Sequence, residues 1–327
     1  MYIKNFSPFS GQHCETTATG SLLKSLGIEL SEAMLFGIGE GLGFIYWDMK
    51  NMDFPFLGGR VKPDLLTRSI VTNLNLQMDL KETTSPKKAW EHVKQNIDKG
   101  IPVGLKLDSY YLDYFTNKVH FAGHYVAMYG YDDCYAYLVD TKQQGGLVKA
   151  SLENLALARN EKGPMSSKNL SYTIKKEAVV PNVKDVIAKA IKNNAIDYIH
   201  PPIKNLGYKG IKKTSVEINN WFERSNSIEH DLVLTATLME RGGTGGSLFR
   251  NIYRDFLEEC LSILDNPLLL NAYELFTEIA PMWEETSKLI KKAGETHELP
   301  FLNQASELLL ELSNKEYEAM KQLSGIS

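Results

Sequence analysis

The chain has 327 residues, of which 43% are hydrophobic and 23% charged, and its net charge is −4. That composition belongs to a globular protein with a real core, long enough for two domains. It offers no basic cluster dense enough to meet a phosphate backbone and no long uncharged apolar run, which argues against nucleic acid and membrane as partners.

The opening "MYIKNFSPFSG" has no apolar signal core, so a cytoplasmic location is expected. Next, "CETTATGSLLKSLG" puts Ala18, Leu22, Leu23 and Leu26 at helical spacing and stops at Gly27. A second helix restarts after Ser31, a good N-cap. Helices over 63–74 and 86–99 both open with proline, the usual first-turn position, and flank a short strand in "LQMDL". "IPVGLKL" over 101–107 reads as a buried strand. "GHYVAMYGYDDCYAYLVDT" is the strongest hairpin signal, with its turn at Asp132–Asp133. A short helix near 151–159 and a strand in "SYTIKKE" close this mixed half, which reads as α+β.

From Pro181 onward only helical periodicity is visible, over 183–198, 215–224, 229–240, 247–264, 271–292 and 303–323. The expected division is therefore a mixed domain over 1–179 and an all-helical domain over 180–327, with no internal repeat and no low-complexity tract.

The three cysteines, Cys14, Cys134 and Cys260, are odd in number and widely spread, with no CxxC pair. Free thiols are expected, rather than a disulfide framework or a thiolate zinc cluster. Cys14 stands where a helix begins, and there the free N–H groups and the helix dipole favour a thiolate and can hold an oxyanion. The best base for it is His124, which opens the first hairpin strand, with Asp140 at the end of the second to orient the ring. This pairing needs a hairpin loop with an odd number of residues, such as three; a two-residue turn would put His124 and Asp140 on opposite faces.

Each residue has a plainer role as well. Cys14 could be one more small buried residue, His124 structural and Asp140 a turn former. His13, adjacent to Cys14, points another way and is a wall of the site or a bystander. Asp108 and Tyr110, after the "GLKL" strand, could face a cleft, or Asp108 could cap a turn. His120 and His124 in "HFAGH" have a zinc-like spacing only on a helix, which Gly123 opposes, so no metal is expected. "FGIGEGLGF" is not a dinucleotide loop, and "RGGTGGS" lacks the Lys-Ser/Thr of a phosphate loop. Cys134 at a turn and Cys260 on a packed helix read as inert.

"HCETTATGSLLKSLGIELSEAMLFGIGEGLGFIYW", the isolated Arg60 in "GGR", "DKGIPVGLKLD" and "GHYVAMYGYDD…YLVD" together resemble the N-terminal domain of the butirosin biosynthesis protein H family, over about 10–175. "GGSLFRNIYRDFLEEC" and "PMWEETSKLIKKA" resemble the domain of unknown function that commonly follows it. The resemblance implies a papain-like cysteine-protease fold followed by a helical domain that caps the cleft. It implies an acyltransferase that moves an (amino)acyl group from an acyl carrier protein thioester to a small amine, as in antibiotic biosynthesis. Cys14 would then be the nucleophile, His124 the base and Asp140 its orienter. The phosphopantetheine would arrive on the partner, with no cofactor of the chain's own. In papain-like enzymes a glutamine several residues before the cysteine helps hold the oxyanion; Gln12 stands closer than that pattern. A cysteine peptidase, amidase or thioesterase with the same triad is an alternative, as is a binding protein with a vestigial triad. A homo-oligomer is also left open.

Overall fold

The structure is a computed structural model and describes residues 1–50, 52–116, 118–163, 166–177 and 181–326. In chain order it runs α1 (Cys14–Ser25), α2 (Glu32–Ile38), β1 (Leu42–Trp47), β2 (Phe56–Arg60), α3 (Leu65–Asn73), β3 (Leu76–Lys81), α4 (Pro86–Asp98), β4 (Val103–Leu107), β5 (His124–Tyr131), β6 (Tyr135–Val139), β7 (Leu147–Ser151), α5 (Leu152–Asn160) and β8 (Ser171–Lys176). The helical half follows with α6 (Val183–Ile199), α7 (Gly207–Glu217), α8 (Trp221–Arg224), α9 (Ile228–Arg241), α10 (Arg250–Leu261), α11 (Pro267–Thr296) and α12 (Leu299–Ser324). The chain is thus α+β, with an N-terminal sheet and a C-terminal helical region.

These elements fall into two compact units, and the units are not contiguous in sequence. One is Met1–Leu35 with Leu66–Val180; the other is Phe36–Leu65 with Pro181–Ser327. The division expected from sequence, a single break at 179/180, differs by the stretch 36–65, and its junction residues 178–180 lie outside the described residues.

In the first unit, β3-β8-β4-β5-β6-β7 form an antiparallel sheet. Val93 and Ile97 of α4, with Leu155 and Ala158 of α5, pack on Val103, Leu105, Leu107, Val126, Met128 and Leu138. Alternate strand residues thus meet helix residues at helical spacing. Helix α1 packs against β4, β5, β6 and β8, and every residue from Cys14 to Leu23 is buried.

The β5–β6 hairpin decides where Asp140 falls. Tyr131 pairs with Ala136, so four residues lie between them, an even number. Asp132 caps this turn by accepting the amides of Cys134 at 2.8 Å and Tyr135 at 2.7 Å. An even loop alone would set Asp140 across from Ala127, on the far face from His124. The register shifts between Met128 and Gly130, and beyond the shift Ala127 pairs with Val139. Tyr129 is the extra residue of a β-bulge, and Asp140 continues the ladder across from Val126, on His124's face. The expected odd loop is absent, and the bulge supplies the odd residue instead.

In the second unit the hairpin β1–β2, not foreseen from sequence, is bound to the helices through Arg250. This fully buried side chain of α10 donates to Glu316 of α12 at 2.8 and 2.9 Å, to Tyr198 of α6 at 3.2 Å and to the Gly59 carbonyl of β2 at 3.2 Å. It also lies 4.8 Å from the Trp283 ring, whose indole N–H donates to Glu316. A buried guanidinium must have its donors satisfied, and Gly59 supplies one acceptor, so this bond ties 36–65 to the helical region, as do those of Asn194 to the Leu42 carbonyl at 2.8 Å and Asn205 to the Tyr46 carbonyl at 3.0 Å.

Helix α10 begins at Arg250 rather than at the expected 247, because Ser247, Leu248 and Phe249 all have positive φ, at 49°, 48° and 75°. Arg250 also donates to the Leu248 carbonyl at 2.7 Å, which helps hold this strained turn. The helix expected over 215–224 instead starts at Gly207, and its N-cap Leu206 makes no side-chain capping bond. Among the described residues no helix is long and apolar enough to cross a membrane.

Candidate active site

Cys14 is the first residue of α1. His13 is the N-cap, and its Nδ1 accepts the Glu15 amide at 3.3 Å, so the ring is turned into its own helix start. Glu32, at the start of α2, receives the chain just ahead of the cysteine. Its carboxylate accepts the Gln12 amide at 2.8 and 2.9 Å, the His13 amide at 2.8 Å and the Thr16 hydroxyl at 2.8 Å. Glu15 is fully buried and accepts the amide and hydroxyl of Thr67, at 3.1 and 3.0 Å, which ties α1 to α3. The backbone around Cys14 is therefore held by two carboxylates, and neither was singled out in the sequence. Gln12 is exposed, and its backbone amide is committed to Glu32. His13 is buried and acts as the cap.

His124 opens β5 and donates or accepts through Nε2 at 2.8 Å from Asp140 Oδ2. Cys14 lies near enough to the same ring to hold its proton more tightly. With Nε2 given to Asp140, Nδ1 is the nitrogen left for the thiol. Cys14, His124 and Asp140 are 9%, 7% and 1% exposed, so the set is nearly dry. Burial acts first, and lowers the affinity of His124 for its proton. The charge and hydrogen bond of Asp140, with those of Cys14, outweigh it and push the pKa up to about 10. His124 therefore carries a proton at neutral pH.

Two further side chains complete this corner. The Tyr114 hydroxyl donates to Asp140 Oδ2 at 2.8 Å, the same oxygen that meets His124. Phe115 stands edge-on to the His124 ring, with centroids 5.3 Å apart at 85°. The Thr141 amide donates to Asp140 Oδ1 at 2.6 Å. Tyr114 and Phe115 sit in an irregular loop with no periodicity to mark them, so sequence reasoning passed over both.

Asp108 is 1% exposed and is bonded within its own loop rather than to Cys14, His124 or Asp140. It caps the 3-10 turn Ser109–Tyr111 through the Tyr110 amide at 3.0 Å, and holds the returning loop through the Phe121 amide at 2.9 Å and His120 Nδ1 at 2.8 Å. Its turn-capping role is the one seen here. Tyr110 stacks on His120 with centroids 4.0 Å apart. His120 and His124 thus bind different aspartates and do not converge. Asp108, His120 and Glu161 bring ligand-type atoms within 4.8 Å of one another, but each is already bonded within the fold, Glu161 to Tyr111. Cys134 is exposed at the hairpin turn and Cys260 is buried in α10, where burial and then the charge of Glu259 hold its thiol above the ordinary range.

A cysteine at a helix start beside a strand histidine that is bonded to a buried aspartate is an arrangement able to support thiol chemistry. Residues 13–141 match the family described as butirosin biosynthesis protein H, N-terminal. Residues 153–323 match a domain of unknown function, DUF4872, and the chain belongs to that family, joined to a butirosin biosynthesis protein H type N-terminal region. No curated protein matches the chain. The two matched segments cut across the structural units. β8 lies within 153–323 yet pairs with β3 and β4, and 36–65 lies within 13–141 yet belongs to the helical unit.

Proposed function

We propose that the protein is a cysteine acyltransferase of papain-like fold, which takes an (amino)acyl group from an acyl carrier protein thioester and passes it to a small amine. The observation that carries this reading is the contact of Cys14 with His124, itself held by Asp140 at 2.8 Å. The name of the family matched over 13–141 supports a role in antibiotic-type biosynthesis.

The chemistry follows from the groups present. With the proton already on His124, the Cys14 sulfur attacks the thioester carbonyl as the thiolate. The tetrahedral oxyanion is met by the N–H groups at the start of α1. The intermediate collapses with loss of the phosphopantetheine thiolate, which takes the proton from His124. Acylation removes the negative sulfur that helped keep His124 protonated, so the imidazole becomes a better base for the second step. There it accepts a proton from the attacking amine while Cys14 leaves as the thiolate, which restores the starting pair. Low exposure of Cys14 and His124, at 9% and 7%, favours transfer to an amine over hydrolysis, because water is largely excluded.

The test is incubation with a panel of acyl carrier protein thioesters, with and without amines, read by intact mass and peptide mapping. An acyl adduct on Cys14 that an amine discharges faster than water supports the reading. Discharge by water at the same rate makes the protein a thioesterase, and failure of every acyl donor to label Cys14 overturns it.

A further inference from the structure

We infer that Tyr114 is a positioning residue of this site, a fourth member that aims Asp140 at His124; the inference rests on the cysteine-catalysis reading above. Asp140 is almost fully buried and accepts from three directions. Oδ2 meets His124 Nε2 and the Tyr114 hydroxyl, each at 2.8 Å, and Oδ1 meets the Thr141 amide at 2.6 Å. A carboxylate held by His124 alone could turn about its last torsion and exchange its oxygens. The phenol and the amide, one on each oxygen, remove that freedom.

The phenol is a dependable donor. Burial, then the charge and hydrogen bond of Asp140, hold its pKa well above the ordinary value, so it keeps its proton wherever the enzyme would work. The titratable groups concerned are few: Asp140 and Cys14 act on His124, while Asp140 and Asp113 act on Tyr114, and Asp113 is itself bonded to the Ser151 amide at 2.6 Å.

Sharing Oδ2 has an electronic consequence. An oxygen that accepts from two donors attracts each less strongly than it would attract one. Tyr114 therefore moderates the hold of Asp140 on the imidazolium while it fixes the geometry. Weakening the phenol as a donor should make His124 more basic, and strengthening it should do the reverse. A side chain that merely fills space would do neither.

The experiment uses the full chain with histidine labelled for NMR, the His124 signal being assigned by its absence in His124→Gln. In Tyr114→Phe, His124 should titrate higher by about half a pH unit or more, and turnover should fall about ten- to a hundredfold through lost orientation. With 3,5-difluorotyrosine placed at 114, an isosteric and stronger donor, His124 should titrate lower. This second variant carries the test if Tyr114→Phe does not fold. An unchanged titration in the folded variants, or a shift of the same sign in both, overturns the proposal. Alkylation of Cys14 in the unaltered protein separates the two claims. If Cys14 is not activated towards iodoacetamide, the catalytic reading fails, whatever Tyr114 does to His124.

Discussion

His124 and Asp140 share a face of the sheet because Tyr129, between them in the hairpin, has no partner on β6. The 2.8 Å contact between the two depends on that bulge, since the turn by itself has the wrong parity. Bulges are common where a strand must re-aim a side chain beside a site, and this one corrects the register of a catalytic-type pair.

The thiol should depend on the histidine. At neutral pH, His124→Gln should slow carbamidomethylation of Cys14 by about tenfold or more, while the exposed Cys134 reacts as before. Peptide-resolved mass spectrometry over a time course reads both rates in one sample. Equal rates at Cys14 in the two proteins would count against the pair.

The raised pKa of His124 has a thermodynamic signature. A group that binds its proton more tightly when folded stabilises the fold fully below its unfolded value, ordinarily about 6.5. That contribution is lost as pH rises through the folded value of about 10. The difference in melting temperature between the unaltered protein and His124→Gln should therefore be widest below about pH 6.5 and shrink steadily towards pH 10. A difference that grew with pH would mean that burial, rather than Asp140, governs the ring.

Glu32 should matter more than its place at the head of a short helix suggests. Glu32→Ala strips the acceptor from the Gln12 and His13 amides and from Thr16, at a cost of about 1–3 kcal/mol given that the carboxylate is only half-buried. Thermal melts measure that loss. On the acyltransferase reading, acylation of Cys14 should suffer as well, because the backbone leading into that residue is no longer held.

In the helical unit, Arg250→Met leaves Glu316 buried without its cation and should cost about 3–5 kcal/mol. Replacing both with apolar residues should cost less than either single change, which denaturant melts of the three variants can rank.

The meeting of Cys14, His124 and Asp140 was legible because its cues are local. A cysteine followed by a helix-forming run, and a histidine and aspartate at either end of a β-patterned hairpin, can be read without knowing what packs on them. The bulge was not legible, since any of several residues in "YVAMYGY" could carry it. Glu32 and Tyr114 were missed because their roles exist only across the fold: Glu32 acts 20 residues from Gln12, and Tyr114 acts 26 residues from Asp140. The β1–β2 hairpin was hidden by its own glycines. Gly43 and Gly59 break the strand pattern because a Cβ there would run into the Arg60 backbone and the Leu248 carbonyl, respectively. The same packing that demands glycine erased the signal for the strand.

The crossing of segments between the two units sets a timetable for synthesis. As the chain leaves the ribosome, β4 to β7 can pair with near neighbours, and the His124–Asp140 contact lies within that run. β3 must wait for β8, nearly a hundred residues later, before it has a partner in the sheet. Residues 36–65 wait longer still, because Arg250, which donates to the Gly59 carbonyl of their hairpin, and Glu316, which holds Arg250, come late in the message. Premature termination between Asp140 and α12 would thus release a chain whose β1–β2 hairpin lacks the Arg250–Glu316 anchor, even though Cys14, His124 and Asp140 had all been made.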